Sequence, residues 1–351
     1  VQFARFNNEQ NYINELHHFL TLTDNVRLKM VCYYALGNSY DVLGDTQQAF
    51  DYYKLANKFQ SKLTQFKTAE LVPFYQRVIE QSHAQLIASR DKTFKGTVTP
   101  IFIIGMPRSG STLIEQMLTS HSDFASLGED ASISNQVVAY IEQKTQRPYP
   151  DCLAELDQGL INTARNIYIE RLKQAPVVRP FMINKLPSNY QSLGLIYLLF
   201  PNAKFINMQR DYNAIAWSVF SNYFAENEPY FCSLPEFKQY YDLYQQLMAH
   251  WHNVMPEAIF DLSYEELVSE SEQTLTALCK FLNIEYNKQF LNFYKSKKPV
   301  ATLSKTAVRQ PLNDKAIDKY KRYESAMHTL MNEPQTSSAD QQTAQNAPVG
   351  E

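Results

Sequence analysis

One loop that is bounded by two glycines carries the clearest chemical signature of this sequence. Residues 105–112 read Gly-Met-Pro-Arg-Ser-Gly-Ser-Thr; they follow the apolar run Pro100–Ile104 and lead into a helical pattern at Ser111–Ser120. In a loop between a strand and a helix, the backbone N–H groups and the positive end of the helix dipole converge on an anion. Glycine lets the backbone approach that anion closely. The loop therefore predicts an anion-binding site at the start of a helix.

The position of the positive charge distinguishes this loop from that of nucleotide triphosphatases, which reads GxxxxGK[ST]. The spacing is kept, but Ser111 stands in the position of the lysine and the positive charge lies at Arg108. The lysine grips the β- and γ-phosphates of a triphosphate, and the hydroxyl after it holds Mg²⁺. A donor with a shorter anionic group needs neither, and Arg108 can neutralise it. A strand-to-helix turn with an incidental arginine is the alternative at this point.

Strand and helix patterns alternate after residue 100 and indicate how this loop is positioned. The strand candidates are Pro100–Ile104, Phe181–Lys185, Lys204–Gln209 and Glu257–Leu262. Helical patterns follow at Ser111–Ser120, Tyr190–Phe200, Tyr212–Phe224 and Ser271–Asn283. Strands that alternate with helices indicate a parallel sheet that is covered on both faces. The predicted fold class is therefore α/β, a P-loop-type parallel sheet flanked by helices.

The first 95 residues have a helical character instead. Residues 33–40 read Tyr-Tyr-Ala-Leu-Gly-Asn-Ser-Tyr, and small and aromatic residues follow at Gly44, Ala49, Tyr53 and Ala56. This spacing resembles one tetratricopeptide repeat, a helix-turn-helix unit of about 34 residues, at Lys29–Lys62. Helices are also predicted at Gln10–Thr23 and, as a cap, at Leu71–Arg90. Since one repeat cannot bury its own apolar face, this region is expected to extend a longer array or to pack on the next domain.

These patterns divide the chain into three parts. Residues 1–95 form the predicted all-α tetratricopeptide-like region, and residues 96–332 form the predicted α/β domain. Residues 333–351 contain almost no large apolar side chain and are expected to be a disordered tail.

Composition and charge exclude several classes of protein. The formal net charge of −3 argues against nucleic-acid binding, which needs a basic surface. No apolar run approaches the roughly 18 residues of a membrane span, so no transmembrane segment is predicted in this chain. The cysteines lack any CxxC pair and are expected to be buried thiols, with no metal site, at Cys32, Cys152, Cys232 and Cys279. A reducing, cytoplasmic location fits this pattern.

The segment around the anion loop resembles a known family. Residues 99–118 read TPIFIIGMPRSGSTLIEQML, and Leu-Gly-Glu follows at 127–129. These motifs are similar to those of sulfotransferases that use 3′-phosphoadenosine-5′-phosphosulfate (PAPS). They most resemble the branch that carries N-terminal tetratricopeptide repeats and is related to tyrosylprotein sulfotransferases. The resemblance extends over roughly Pro100–Tyr323, in addition to the repeat.

The resemblance implies a PAPS site and the residues that form it. The loop residues that match the family's 5′-phosphosulfate site are Arg108, Ser109, Gly110, Ser111 and Thr112. The family holds the 3′-phosphate with an arginine that ends a strand and a serine eight residues later, which match Arg210 and Ser218. ATP lacks the 3′-phosphate, so this pair favours PAPS over ATP. The alternative is that Arg210 and Asp211 only form a helix cap.

Two further segments match the family less completely. Residues 300–311 resemble the segment that closes over the nucleotide, with Ser304 and Arg309 in the family's positions. Ala307 and Tyr320 depart from the family pattern, which usually has glutamine and tryptophan there. Tyr264 matches a tyrosine beside the adenine, and a core aromatic residue is the equal alternative.

The resemblance also implies catalytic roles. Glu129 matches the general base of the tyrosylprotein branch, with Asp130 as the fallback and His121 as a rival that we interpret as structural. Lys185 matches a lysine that interacts with the transferring group. Together with Arg108 and Ser304, Lys185 is expected to stabilise the charge that develops in the transition state.

The predicted function is therefore a PAPS-dependent sulfotransferase that moves the sulfuryl group to an acceptor hydroxyl, with no metal. The expected acceptor is a peptide or protein tyrosine or a glycan, and a protein partner could bind through the helical repeat. One alternative is a repeat-based protein-binding module with a degenerate nucleotide-binding domain. A P-loop kinase is a weaker alternative because the loop lysine is missing.

Overall fold

Five parallel strands form one sheet at the centre of the structure. The computed structural model describes residues 9–64, 67–91, 93–224, 229–295, 309–314 and 317–332. The strands are β1 (Thr99–Gly105), β2 (Phe124–Ser126), β3 (Phe181–Asn184), β4 (Lys204–Gln209) and β5 (Ile259–Ser263). Their order is β2-β3-β1-β4-β5, and every neighbouring pair is parallel. The predicted parallel sheet is therefore confirmed.

The side chains of β1 show why the sheet is covered on both faces. Ile101 and Ile103 lie in one apolar cluster, whereas Phe102 and Ile104 lie in the other, and all four are fully buried. A strand that is apolar on both sides must be packed on both sides. The edge strand β2 was not predicted because it has only three residues, and β5 starts at Ile259 because Pro256–Ala258 form a 3₁₀ turn.

Helices cover both faces of the sheet and form the N-terminal region. The N-terminal helices are α1 (Glu9–Leu22), α2 (Val26–Leu43), α3 (Thr46–Thr64), α4 (Val72–Gln81) and α5 (Ala84–Ala88). The later helices are α6 (Ser111–Thr119), α7 (Ala139–Thr145), α8 (Gln158–Lys173), α9 (Leu193–Leu199), α10 (Tyr212–Phe220), α11 (Leu234–Val254), α12 (Tyr264–Ser269), α13 (Ser271–Leu282) and α14 (Glu324–Asn332). Side chains of α6, α12 and α13 pack on one face, and side chains of α8 to α11 pack on the other.

Three predicted helices differ from the structure by more than one residue in their bounds. The cap predicted at Leu71–Arg90 is interrupted at Ser82 and His83, where the His83 ring nitrogen accepts a hydrogen bond from the backbone of Leu86 and caps α5. Residues 187–192 form a 3₁₀ turn, so α9 begins only at Leu193. Helix α10 ends at Phe220, four residues before the predicted end.

The N-terminal helices pack tightly on one another and on α10. A Cβ atom at Gly37 would lie 2.7 Å from the ring of Tyr53, so α2 and α3 cross where only glycine fits. Asn57 of α3 donates from Nδ2 to the carbonyl oxygen of Phe220 at 2.8 Å, and the rings of Tyr53 and Trp217 meet edge to face. One apolar cluster therefore extends from α3 into the α/β region.

The four cysteines are all buried and none of them forms a disulfide in the described part of the chain, as their spacing predicts. Burial raises the pKa of Cys152 and of Cys279 to about 11, which keeps both thiols protonated near neutral pH. Across the described ranges, no helix is both long enough and apolar enough to span a bilayer.

Candidate active site

The predicted anion loop connects β1 to α6 and has an unusual backbone. Gly105, Arg108 and Gly110 all have positive φ angles, of 135°, 70° and 106°. A Cβ atom at Gly105 would lie 2.6 Å from the carbonyl oxygen of Met208, and one at Gly110 would lie 2.6 Å from Cδ2 of Tyr264. The two glycines are therefore required by their positive φ angles and by the close approach of the Met208 backbone and the Tyr264 ring, and the loop lies at the carboxyl end of β1.

Two guanidinium groups meet at this loop. Arg108 donates from Nε to the hydroxyl of Ser218 on α10 at 2.9 Å, and Arg210 donates from an Nη atom to the carbonyl oxygen of Arg108 at 2.9 Å. The guanidinium of Arg210 also lies over the ring of Tyr264, 4.5 Å from its centroid. The structure thus links Ser218, Arg108, Arg210 and Tyr264 through a chain of direct contacts.

The charge of this cluster is unfavourable without an anion. Burial lowers the pKa of Arg108, and the neighbouring Arg210 lowers it further. Burial also lowers the pKa of Arg210, which Tyr264 and two carboxylates partly oppose. Bringing two cations together in a partly desolvated place costs free energy, and a bound anion would offset this cost. The electrostatics therefore favour an anionic ligand beside these two arginines.

The hydroxyl groups of the loop are buried beside these arginines. The side chains of Ser111 and Thr112 are buried in the first turn of α6. Ser109 is fully buried, and its Oγ atom has no hydrogen-bond partner among the described residues. Since a buried hydroxyl without a partner costs about 1–3 kcal/mol, its presence at the centre of an anion loop points to a polar ligand.

A second charged cluster lies at the carboxyl ends of β2 and β3. Lys185 directly follows β3 and donates from Nζ to Oε1 of Glu129 in the turn after β2. The side chain of Lys185 is only 2% exposed, whereas that of Glu129 is 51% exposed. The structure therefore brings together the predicted base and the predicted charge-stabilising lysine, with the carboxylate facing solvent.

The two alternatives to Glu129, which are Asp130 and His121, make other contacts. Asp130 accepts a hydrogen bond from Nε of Arg171 at 2.7 Å, and its side chain is 9% exposed. His121 lies beyond the far end of α6, about 13 Å along the helix from the loop, where its ring packs on Phe290 with centroids 5.4 Å apart. Asp130 is thus held by Arg171, and His121 lies at the opposite end of α6 from the loop.

The remaining predicted residues are less well placed or lie outside the described ranges. Ser304 belongs to residues 296–308, which the structure does not describe. Arg309 is described and exposed. A cavity of about 250 Å³ adjoins Arg210 at the carboxyl ends of β4 and β5, where polar side chains line it, including Gln209, Gln245 and Glu265.

Two residues of the second cluster were not predicted. Glu115 is buried on α6 with Oε2 4.0 Å from Nζ of Lys185, and Ser126 donates to its Oε1 at 2.5 Å. The available signal was a lone carboxylate inside the apolar stripe of α6, between Ile114 and Met117. Across the described residues, no group of three or more His, Cys, Asp or Glu side chains is arranged to hold a metal ion.

Comparison with known proteins finds one family and a set of distant relatives. The Sulfotransferase family matches residues 100–288. An uncharacterized protein of Aquifex aeolicus is 30% identical over 288 residues, which cover 80% of this chain and 38% of that protein. Protein-tyrosine sulfotransferase 1 of Danio rerio is 27% identical over 236 residues, which cover 63% of this chain and 65% of that protein. The matched region is therefore less than two thirds of the length of these two relatives.

The solved structures that match this chain show lower identity. The sulfotransferase domain of the Synechococcus PCC 7002 olefin synthase is 19% identical, covers 74% of this chain and 100% of its own, and has a TM-score of 0.46. Mouse sulfotransferase SULT7A1 complexed with PAP is 15% identical, covers 76% of this chain and 96% of its own, and has a TM-score of 0.34.

Proposed function

The chain belongs to the sulfotransferase family, and we propose that it transfers a sulfuryl group from PAPS to an acceptor hydroxyl group. The observation that carries this proposal is the contact of Arg210 with the backbone of Arg108 at 2.9 Å. This contact joins the proposed 3′-phosphate site to the proposed 5′-phosphosulfate site.

The residues that are present fit the two anionic groups of PAPS. Residues 108–112 surround the place of the 5′-phosphosulfate with one guanidinium, three hydroxyls and the N-terminus of α6. The Ser109 hydroxyl, which has no partner in the described part of the chain, is a donor for that group. Arg210 and Ser218 provide a guanidinium and a hydroxyl for the 3′-phosphate. Both arginines have a lowered pKa, and an anion at each end would stabilise their charged forms.

Three other residues belong to the proposed donor site. Tyr264 lies against Gly110 and under the guanidinium of Arg210, which supports a position next to the nucleoside. The cavity beside Arg210 has room for part of that nucleoside. Ser304 and Arg309 complete the proposal from the family resemblance, although Ser304 lies outside the described ranges.

The proposed reaction is an in-line transfer in which these side chains supply the acid–base and electrostatic steps. Glu129 takes the proton of the acceptor hydroxyl, and the acceptor oxygen forms a bond to sulfur. The bond between sulfur and the 5′-phosphate oxygen breaks, and that phosphate leaves with the electron pair. Arg108, Lys185 and Ser304 stabilise the charge on the transferring group and the leaving oxygen. Atoms and charge balance, with adenosine 3′,5′-bisphosphate (PAP) and the sulfated acceptor as products.

The acceptor that we propose is a protein tyrosine. The relatives named protein-tyrosine sulfotransferase support this class. The carboxylate of Glu129 faces solvent with 51% of its side chain exposed, which leaves room for a hydroxyl on a macromolecule. A glycan hydroxyl is the other acceptor class that the assay must include.

The proposal extends to the organisation of the chain. We assign residues 1–95 to a helical region of the tetratricopeptide type and residues 96–332 to the sulfotransferase domain. The pair α2 and α3 coincides with the predicted repeat at Lys29–Lys62, and its close crossing at Gly37 supports this assignment. A protein partner is proposed to bind to this region, whose helix α3 packs on α10.

The direct experiment combines binding with turnover. PAP binding is measured by isothermal titration calorimetry, with AMP as the analogue that lacks the 3′-phosphate, and transfer is measured from labelled PAPS to tyrosine peptides and glycans. We expect PAP to bind and AMP to bind much more weakly. Absence of PAP binding would refute the donor site. Turnover that requires Mg²⁺ and ATP would favour the kinase alternative, and PAP binding without transfer to any acceptor would favour the binding module.

A further inference from the structure

Lys185 is held between two carboxylates, and only one of them belongs to the proposed reaction. Its Nζ atom donates to Glu129 and lies 4.0 Å from Oε2 of Glu115. The two carboxylates differ in environment, since the side chain of Glu115 is 9% exposed and that of Glu129 is 51% exposed. One buried cation is therefore shared by a buried acid and an exposed acid.

Glu115 also fixes the turn that carries Glu129. Ser126 donates its hydroxyl to Oε1 of Glu115 at 2.5 Å, and the Ser126 hydroxyl oxygen accepts the backbone N–H of Gly128 at 2.9 Å. The backbone N–H of Lys185 donates to the carbonyl oxygen of Gly128 at 2.9 Å. Through Ser126 and Lys185, Glu115 is thus connected to both sides of the residue that precedes Glu129.

The balance of charge around Lys185 explains why a second carboxylate is useful there. If Glu129 were the only counter-ion of Lys185, removing the ammonium from it would leave a buried cation uncompensated, which is costly. A tightly paired carboxylate is also a weaker base, because the ammonium stabilises its charged form. A second carboxylate on Lys185 relieves both problems, since the ammonium keeps a partner when Glu129 turns to an acceptor.

We propose that Glu115 is a positioning residue that holds the Lys185 ammonium and supplies its second negative charge, so that Glu129 is available to take a proton from the acceptor. Glu115 does not contact the reacting atoms in this proposal. The proposal rests on the proposed roles of Glu129 and Lys185, and it adds a residue of α6 that those roles do not include.

The other described charged side chains around Glu115 are paired elsewhere, so Lys185 and Glu129 are the charges that act on it. Burial raises the pKa of the Glu115 carboxyl, whereas Lys185 and the hydrogen bond from Ser126 oppose that rise. Asp130, the next acid along the turn, is paired with Arg171 of α8. The 3₁₀ segment Lys288–Lys295 packs on α6; its Lys288 lies 3.9 Å from Glu272, and Lys295 lies over the ring of Tyr294. The described charges that face Glu115 are therefore Lys185 and Glu129.

The test uses Glu115→Gln, which keeps the shape and an acceptor for Ser126 but removes the charge. We expect kcat to fall by about tenfold to a hundredfold, a part of what a positioned base contributes, while the Kd of PAP changes by less than about threefold. With Glu115 neutral, the ammonium acts on Glu129 alone and stabilises its charged form. The acid limb of the pH profile of kcat should therefore move to lower pH.

The matched control is Glu236→Gln. Glu236 is also a buried glutamate that accepts a hydrogen bond, from the backbone of Thr68 at 2.6 Å, but it lies on α11 in a different part of the molecule. Both variants are expected to unfold at lower temperature than the unmodified protein. Only Glu115→Gln should move the acid limb, because a purely structural effect lowers stability without changing the charge next to Glu129.

A measurement that does not depend on turnover tests the role of Glu115 independently of the proposed function. The titration of the Glu129 carboxyl carbon is followed by NMR in the unliganded protein, with Glu129→Gln to assign the signal. The titration midpoint should lie at lower pH in Glu115→Gln than in the unmodified chain. An unchanged midpoint overturns the role of Glu115 whether or not the protein transfers sulfate, whereas failure to bind PAP overturns only the donor site.

Discussion

Arg210 reaches across the carboxyl edge of the sheet and donates to the carbonyl oxygen of Arg108 at 2.9 Å. One arginine therefore supports the backbone of the loop that the other arginine occupies. Because the carboxyl ends of β1 and β4 are adjacent, two residues that are far apart in sequence come together beside the loop. Substitutions at this place can separate effects on binding, catalysis and stability.

Replacing Arg210 with alanine should weaken PAP much more than AMP. A guanidinium bound to a phosphate contributes roughly 1.5–3 kcal/mol, so the Kd of PAP should rise by about tenfold to a hundredfold or more. AMP lacks the 3′-phosphate and should lose far less. Calorimetry with both nucleotides measures the ratio of the two constants.

The control for this variant is Lys204→Ala. Lys204 starts the same strand, β4, but its Nζ atom lies over the ring of Phe281 at the opposite edge of the sheet. It should leave the ratio of PAP to AMP affinity unchanged. Equal losses for both nucleotides in Arg210→Ala would place the 3′-phosphate elsewhere.

Substitutions of the two neighbouring acids, Glu129 and Asp130, should have different effects, one on catalysis and the other on stability. Glu129→Gln should lower kcat by about 10²- to 10⁴-fold, as expected for loss of a general base, with PAP binding and thermal stability retained. Asp130→Asn removes the charge that accepts from Arg171 and should lower the melting temperature. Single-turnover kinetics and thermal melts distinguish these effects. Normal kcat in Glu129→Gln would transfer the role of base to another residue.

Replacing Gly110 with alanine should disable the anion loop. Its φ angle is 106°, and a Cβ atom would lie 2.6 Å from the Tyr264 ring, so strain of about 1–3 kcal/mol is expected. The variant should bind PAP weakly and melt at a lower temperature. Gly44→Ala is the control, because Gly44 also has a positive φ but nothing lies within 4 Å of its Cβ position. PAP affinity that is retained in Gly110→Ala would show that the loop does not need this close approach.

The parts of the site that depend on local spacing could be predicted from the sequence. Strand β4 ends at Gln209, as predicted from its apolar run, and this fixed the position of Arg210 after the strand and of Ser218 on the following helix. The loop between β1 and α6 could be predicted equally well, because its glycines, arginine and hydroxyls are adjacent in sequence.

The residues that support the proposed catalytic side chains could not be predicted from the sequence, because they depend on contacts between segments that are distant in the chain. Glu115 is buried only because the turn after β2 and the end of β3 meet beside α6, and β2 is too short to predict. Helix α11 was not predicted, and Pro235 lies in its first turn, where proline needs no hydrogen bond. The aromatic stacking that joins the helical region to α10 likewise follows from tertiary packing.

Asp41 of α2 should stabilise the contact between the helical region and the C-terminal segment. Its side chain is 8% exposed, it accepts hydrogen bonds from Arg322 and Tyr323, and it lies 3.0 Å from Nζ of Lys319. Tyr323 in turn stacks on Trp217 with centroids 3.7 Å apart. Asp41→Asn should lower the free energy of unfolding by about 1–3 kcal/mol, since it weakens hydrogen bonds to a charged acceptor.

The matched variant for Asp41 is Asp24→Asn, which removes an ion pair of similar length in the same region. Asp24 lies 3.1 Å from Nζ of Lys29, but its carboxylate is fully exposed, so water compensates its loss. Urea unfolding should therefore be unchanged in Asp24→Asn and shifted to lower midpoint in Asp41→Asn, with altered fluorescence of Trp217. Equal midpoints in both variants would mean that the Asp41 contacts do not stabilise the fold, and that the helical region is held to α10 by Tyr53 and Asn57 instead.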